Sequence, residues 1–352
     1  MGRAAEALSS RLRERADNKR ESRSLHFALR QASEENHVLR QRLDLVERLE
    51  SAHADPPHWA RPRRDTAAHH AIVCLLVTDT HFDEVVRPSE VDFLNKYDRR
   101  IAEIRLRRAF EKTVVLAKNF LSGVTYDGAV VFLGGDMFSG NIHDELKETN
   151  ASTLSDAILH WIEPLVAGIR LLAEEFRNVR VVAVVGNHGR TTKKPRAKLR
   201  AQDNVDWLLY KLLARDFKSD KRLTFNIPEA ADAHEKVYGV RFLLTHGDQF
   251  RGGSGISGAM APLLLGSHRK TRRQSAAGNP YDLMLIGHFH QTLMLPSKGL
   301  LVGGSLKGVD EFSYTSNFEP EPASQLMWIV TPEHGVGFTI PVVVQDRKSE
   351  GW

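Results

Sequence analysis

Apolar residues recur at seven-residue spacing near the start of the chain, give way to a Pro-rich charged stretch, and return as short β-branched runs separated by longer helical patterns. In the first region Leu25, Ala32, Leu39 and Val46 form one heptad series, and Leu29, Asn36, Leu43 and Glu50 form the other. If the second series is position a, Asn36 is a polar residue at a, which favours a parallel pair in register and hence a homodimer through this arm. The stripe covers only about three to four heptads, near the lower limit for a coiled coil. A single amphipathic helix packed on the following domain or on a partner is the equal alternative. Residues 51–70 combine Pro with charge and show no apolar period, so they read as a linker, with His69 and His70 as loop residues before the first strand.

From Ala71 the pattern alternates. Strand-like runs are Ile72–Val77, Ala129–Leu133, Val179–Val185, Val240–Leu244, Leu283–Ile286, Leu300–Val302, Leu326–Val330 and Gly337–Val344. Helical periodicity covers Tyr97–Phe120, Leu154–Phe176 and Asp203–Phe217. Mixed α and β segments followed by mostly β segments suit two mixed sheets packed face to face with helices outside, a four-layer α/β/β/α sandwich. The expected organisation is a helical arm over 1–50, a linker over 51–70, a globular domain over 71–346 and a tail over 347–352.

Composition narrows the class. The 352 residues, 41% hydrophobic and 26% charged, hold material for one large core. No apolar stretch approaches the roughly 20 residues that span a bilayer, and the N-terminus lacks the apolar segment of a signal peptide. The single cysteine, Cys74, lies in the first strand and reads as a small core residue. Without an internal disulfide, the expected location is a reducing compartment, the cytoplasm. The net charge of +5 admits a polyanionic partner. Two basic runs, Arg190–Arg200 and His268–Arg273, follow motifs described next, so both are expected to flank a site.

Five polar motifs stand at or just after these strands: Asp79-Thr-His81, Gly135-Asp136, Gly186-Asn187-His188, His246, and Gly287-His288-Phe-His290. Imidazoles and carboxylates emerging from buried strands into loops are what a divalent-metal hydrolase needs, including one anion to bridge cations about 3.5–4 Å apart. An Asp-x-His pair in an extended segment shares one face. Asp136 follows two glycines that leave its carboxylate unobstructed, and Asn187 offers a neutral carbonyl oxygen.

This order, DxH, GD, GNH, H, GHxH, resembles the calcineurin-like metallophosphoesterase superfamily over residues 72 to about 344. The text around the motifs is similar to bacteriophage-encoded phosphoesterases described as DNA-repair-exonuclease-like, which would place the protein in a bacterial host. The resemblance implies that Asp79, His81 and His290 hold one metal, that Asn187, His246 and His288 hold the second, and that Asp136 bridges. It implies further that a hydroxide shared by the metals attacks phosphorus while His188 protonates the leaving oxygen. The mixed N/O ligand set suits Mn, Fe or Zn.

The chain departs from the pattern at two places. Phosphoprotein phosphatases of the superfamily carry an acid three residues after the bridging Asp and another directly after Gly-Asn-His; here Ser139 and Gly189 stand there. That disfavours a protein phosphatase and leaves His188 without its usual partner, whereas Gly135-Asp-Met-Phe138 is similar to the repair-nuclease segment. Arg190, Lys193, Lys194, Arg196 and Arg251 are candidate phosphate contacts. Asp248 is a candidate acceptor for a ligand histidine, and Gly303-Gly304-Ser305 is expected to allow close packing. The expected function is hydrolysis of nucleic-acid phosphodiesters, the nuclease and DNA-repair branch of the resemblance, with DNA or RNA and exonuclease or endonuclease left open. The alternatives are a small-molecule or cyclic-nucleotide phosphodiesterase and a non-catalytic replication or repair accessory subunit.

Overall fold

The computed structural model describes residues 2–51, 69–250 and 260–352. The chain divides into two units, residues 1–66 and 67–352. Within the first unit, α1 (Gly2–Ser51) is one continuous helix, as a stretch rich in Arg, Glu, Leu and Ala without proline favours. Most of the expected linker lies outside the described residues.

The second unit follows the β-branched runs and adds short elements between them. Its elements are β1 (His69–Val77), α2 (Arg99–Val115), β2 (Val124–Leu133), α3 (Asp144–Thr149), α4 (Leu154–Phe176), β3 (Val179–Ala183), α5 (Val205–Asp216), β4 (Leu223–Asn226), β5 (Asp232–Val237) and β6 (Val240–Thr245). They continue with α6 (Met260–Ala276), β7 (Leu283–Ile286), β8 (Leu293–Leu295), β9 (Leu300–Val302), α7 (Glu311–Thr315), β10 (Ser324–Thr331), β11 (Gly335–Val343) and α8 (Arg347–Glu350).

Two mixed sheets result. The first has the order β11-β10-β1-β2-β3-β4, with β1 to β4 parallel and β10 antiparallel to both β1 and β11. The second has the order β5-β6-β7-β9-β8, with β6, β7 and β9 parallel. Strand alternation sorts the layers. Val73, Leu75, Val77, Val131, Leu133, Val181 and Ala183 pack with α2, α4 and α5. Their sequence neighbours Cys74, Leu76, Val130, Phe132 and Val182 face Phe242, Leu244, Leu285 and Leu301 of the other sheet. The far side of that sheet, with Leu243, Met284, Ile286 and Leu300, takes Leu263 of α6. The order is therefore α/β/β/α, the expected sandwich.

Three local expectations change. His69 and His70 belong to β1, paired with Val124 and Thr125, and His70 Nδ1 lies 2.8 Å from Asp127 Oδ1. Residues 347–352 are no loose tail: Glu350 is buried against Arg105 of α2 at 3.0 Å. The basic run 268–273 lies on the outer helix α6, where Lys270 and Arg273 are committed to Asp232, so it is not a loop at the site.

Candidate metal centre

Parallel strands align their C-terminal ends, and in such sheets those ends carry the ligand loops. Asp79 and His81 follow β1, Asp136 follows β2, Asn187 and His188 follow β3, His246 follows β6, and His288 and His290 follow β7. The two sheets bring these loops together. His246 donates through Nδ1 to the Gly134 carbonyl at 2.8 Å, and the His288 amide donates to Asp79 Oδ2 at 2.8 Å.

Small residues let the loops approach. A Cβ on Gly135, at φ 91°, would stand 2.4 Å from the Gly186 nitrogen. One on Gly303 would stand 2.7 Å from Thr78 Cγ2, the close packing expected of that turn, and Ser305 Oγ donates to the Asp79 carbonyl at 3.0 Å.

The Asp-x-His pair is not aligned by extended alternation. Asp79 and His81 sit at φ 50° and 44°, and Asp136, His288 and His290 at 51°, 68° and 56°. A left-handed turn at each of these five positions, rather than the pleat of a strand, aims the side chains inward. His81 and Asp136 stay in register because the His81 amide donates to the Asp136 carbonyl at 3.0 Å.

Two clusters of donor atoms follow. In the first, His81 Nε2 and His290 Nε2 are 3.1 Å apart, and His290 Nε2 is 3.3 Å from Asp79 Oδ1. In the second, His246 Nε2 lies 3.0 Å from Asp136 Oδ2 and 3.2 Å from Asn187 Oδ1. His288 joins Asp136 and His246 within 4.8 Å. Because Nδ1 of His246 donates to Gly134, its Nε2 presents a lone pair to two oxygens that are themselves acceptors. With Nε2 unprotonated, a cation satisfies such a convergence, so this donor set fits a divalent metal. His81, Asp136 and His188 also converge within 4.8 Å, which puts His188 beside Asp136 between the clusters.

Electrostatics agree with the geometry. Burial, and then Lys307, lower His81 to about 4; burial, and then His246, lower His288 to about 4. Both rings are therefore neutral at pH 7, the form that binds metals. Burial alone would raise Asp79 and Asp136, but neighbouring imidazoles prevail and hold both below the usual carboxylate range, Asp79 at about 2. Burial disfavours a charged His246, yet Asp136 overrides it and raises the ring to about 10. A proton there occupies the position that the donor geometry suits to a cation.

His188 has the support that the residue pattern left open. Its Nδ1 donates to the Ser139 carbonyl at 2.8 Å, and its amide donates to Asp136 Oδ1 at 2.6 Å. Position 139 thus contributes main chain instead of a side-chain acid, and Nε2 is directed away from that anchor.

Residues missed in the sequence complete the centre. Asp206, buried near the start of α5, accepts from the amides of Asp136 and Gly186, each at 3.0 Å, and of Met137 at 3.2 Å. A Cβ on Gly189 would lie 2.3 Å from Asn204 Oδ1 and 2.9 Å from Asp206 Oδ1, so these α5 residues fill the space where an acid after Gly-Asn-His would begin. Glu84 Oε2 faces His81 Nδ1 at 3.3 Å, while its Oε1 takes buried Lys307 at 2.8 Å; Lys307 also pairs with Asp310. Asn204 and Asp206 read in the sequence as ordinary helix-start residues, and Lys307 as a loop residue.

The candidate substrate residues divide. The Arg190 guanidinium donates to the carbonyls of Asn187, Thr192 and Lys193 at 2.8, 2.9 and 3.0 Å, so it shapes its own loop. Lys193 pairs with Asp144 at 2.7 Å in solvent. Lys194 is exposed, and Arg196, with Lys198 and Arg200, lines a shallow cleft beside Asn187. Arg251 lies outside the described residues. Asp248 binds Arg200 at 2.7 Å, tying the basic loop to the loop after β6 in place of the expected histidine contact.

No family model matches the chain, and no curated protein matches it. Solved structures do. The chain is similar to the Vacuolar Protein Sorting 29 of Cryptosporidium parvum at 12% identity, over 77% of this chain and 97% of that one, with a TM-score of 0.32. It is similar to Vps29 complexed with zinc from Entamoeba histolytica at 13% identity, over 77% and 99%, with a TM-score of 0.30. It is similar to a dimetal phosphatase from Danio rerio at 11% identity, over 78% and 99%, with a TM-score of 0.36.

Proposed function

We propose that the protein is a two-metal phosphoesterase that hydrolyses nucleic-acid phosphodiester bonds. The observation that carries this reading is the convergence of His246 Nε2, Asp136 Oδ2 and Asn187 Oδ1 beside the His81, His290 and Asp79 cluster. Asp79, His81 and His290 would hold one divalent cation, Asn187, His246 and His288 the other, and Asp136 both. Such cations supply Lewis acidity and a water of lowered pKa. Manganese is the first metal to test, with iron or zinc as alternatives.

The chain's own groups set the rest. Gly134 fixes the His246 ring through Nδ1, and Glu84 faces the far nitrogen of His81, so both imidazoles present Nε2 inward. His188, anchored through Nδ1, is the group to hand a proton from Nε2 to the leaving oxygen. Beside Asn187, Arg196 and Lys198 are the basic side chains that favour a polyanionic substrate, since Arg200 in the same cleft is paired with Asp248.

Activity of metal-stripped protein with Mn²⁺ restored tests the proposal, comparing a bis-aryl phosphodiester with labelled single- and double-stranded DNA. Asp136→Ala and His188→Ala serve as controls. DNA cleavage lost in both variants is the expected result. Turnover of the small diester alone moves the substrate to a nucleotide, and no metal-dependent turnover makes the protein a binding module.

A further inference from the structure

The helix α1 presents an apolar stripe with a partner of definite chemistry. Leu25, Leu29, Leu39 and Leu43 are 65, 68, 61 and 58% exposed, and Ala32 and Asn36 lie exposed between them. These six positions alternate d, a, d, a, d, a and run about 27 Å along the helix at about 1.5 Å per residue. Burying four leucines removes a large apolar area from water, so the stripe favours association over solvent.

We propose that α1 pairs with α1 of a second copy as a parallel, in-register coiled coil. Two observations select that occupant and direction. In a parallel pair, a packs against a, and the two Asn36 amides bond to each other; in an antiparallel pair, a packs against d, which here offers Leu25, Ala32 and Leu39. None of those can bond an amide, and a buried amide left without a partner destabilises the antiparallel pair. The flanking charges also match: Glu35 at g meets Arg40 at e of the partner helix. The pair is attractive and occurs twice by symmetry. Phe27 and Val38 fall outside this seam.

Given the phosphoesterase reading, two linked copies would hold a long diester more tightly than one, without new contacts.

The test uses the full chain. Light scattering at micromolar concentration is expected to give about twice the 39.6 kDa of the chain. Leu29→Lys with Leu43→Lys should return one copy, with turnover of the small diester unchanged as proof of folding. Glu35→Arg should weaken the dimer, and adding Arg40→Glu should restore it. The only native cysteine, Cys74, is buried, so Leu29→Cys reports register: oxidation should link two chains covalently. A monomeric mass for the unaltered chain, or a dimer untouched by the double-lysine variant, overturns the pairing. A dimer that position 29 cannot crosslink overturns the parallel register. Turnover is read separately, so failure of the dimer and failure of the phosphoesterase reading remain distinguishable.

Discussion

Removing the Asp206 carboxylate should weaken metal binding more than it weakens the fold. Its two oxygens take three buried amides, those of Asp136, Gly186 and Met137. In Asp206→Asn, a carbonyl at the Oδ2 position still accepts from Asp136 and Gly186, but the new NH₂ group meets the Met137 amide donor to donor. Losing one charge-assisted bond and stranding a donor cost about 2–4 kcal/mol. An opposing effect exists: burial, and then Asp136, raise Asp206 to about 7 in the cation-free protein. Holding the carboxylate charged above that pH costs roughly 4 kcal/mol relative to the unfolded chain. Asparagine escapes this cost, so stability in a chelator should change by no more than about 2 kcal/mol in either direction. Metal affinity has no such offset, since cations beside Asp136 remove the repulsion only when Asp206 is charged. Loss of a group that orients a ligand loop lowers affinity about 10- to 100-fold. Calorimetric titration of Mn²⁺ into metal-stripped protein checks this, with Asp206→Ala expected to lose at least as much and Asp216→Asn, exposed at the far end of α5, as the control. Binding by Asp206→Ala within a factor of two of the unaltered protein would refute the reasoning.

Three further outcomes follow from particular contacts. His188→Asn should lower kcat on the phosphodiester about 10²- to 10⁴-fold while Mn²⁺ titration stays near that of the unaltered protein. Gly140→Ala should destabilise by about 1–3 kcal/mol, since its Cβ would lie 2.1 Å from the His188 carbonyl at a φ of 72°, and chemical denaturation measures it. For Asp232, burial alone would raise the carboxyl, but Lys270 at 2.7 Å and Arg273 hold it below the usual range. A depressed carboxylate stabilises above its unfolded pKa near about 4 and loses that contribution as pH falls through its folded value. Asp232→Asn should therefore cost about 3–5 kcal/mol at pH 7, leave Lys270 unpaired, and show a shallower acid loss in unfolding curves.

The long elements were legible because their patterns are local. Ala129–Leu133 is a continuous apolar run, Val179–Ala183 is β-branched or apolar but for Arg180, and α4 repeats its apolar face over six turns. What escaped lacks that signal. Asp232–Val237 has only Ala233 and Val237 as apolar residues because it is an edge strand paired only with β6, and α6 opens with Met260-Ala-Pro262 and ends in a basic run. The motifs marked the ligand loops, since chemistry restricts residue type at those positions. Asp206 escaped for the opposite reason: an acid in the first turn of a helix is common, and its partners lie 70 and 20 residues earlier in the chain.

Five of the candidate ligand positions, Asp79, His81, Asp136, His288 and His290, hold left-handed backbone. Asp and His tolerate that region better than most residues, but each still costs on the order of 1–2 kcal/mol. The strain stays because each turn is fixed from outside itself: Asp79 by the Gly135 carbonyl at 3.1 Å, His81 by the Asp136 carbonyl, and Asp136 by Asp206. Gly135, Gly186 and Gly303 let those outside contacts close. The glycines in the motifs are therefore not spacers between ligands; they allow one loop's amides to hold the next loop's carbonyls, so that two sheets with separate hydrogen-bond ladders present one rigid set of donor atoms.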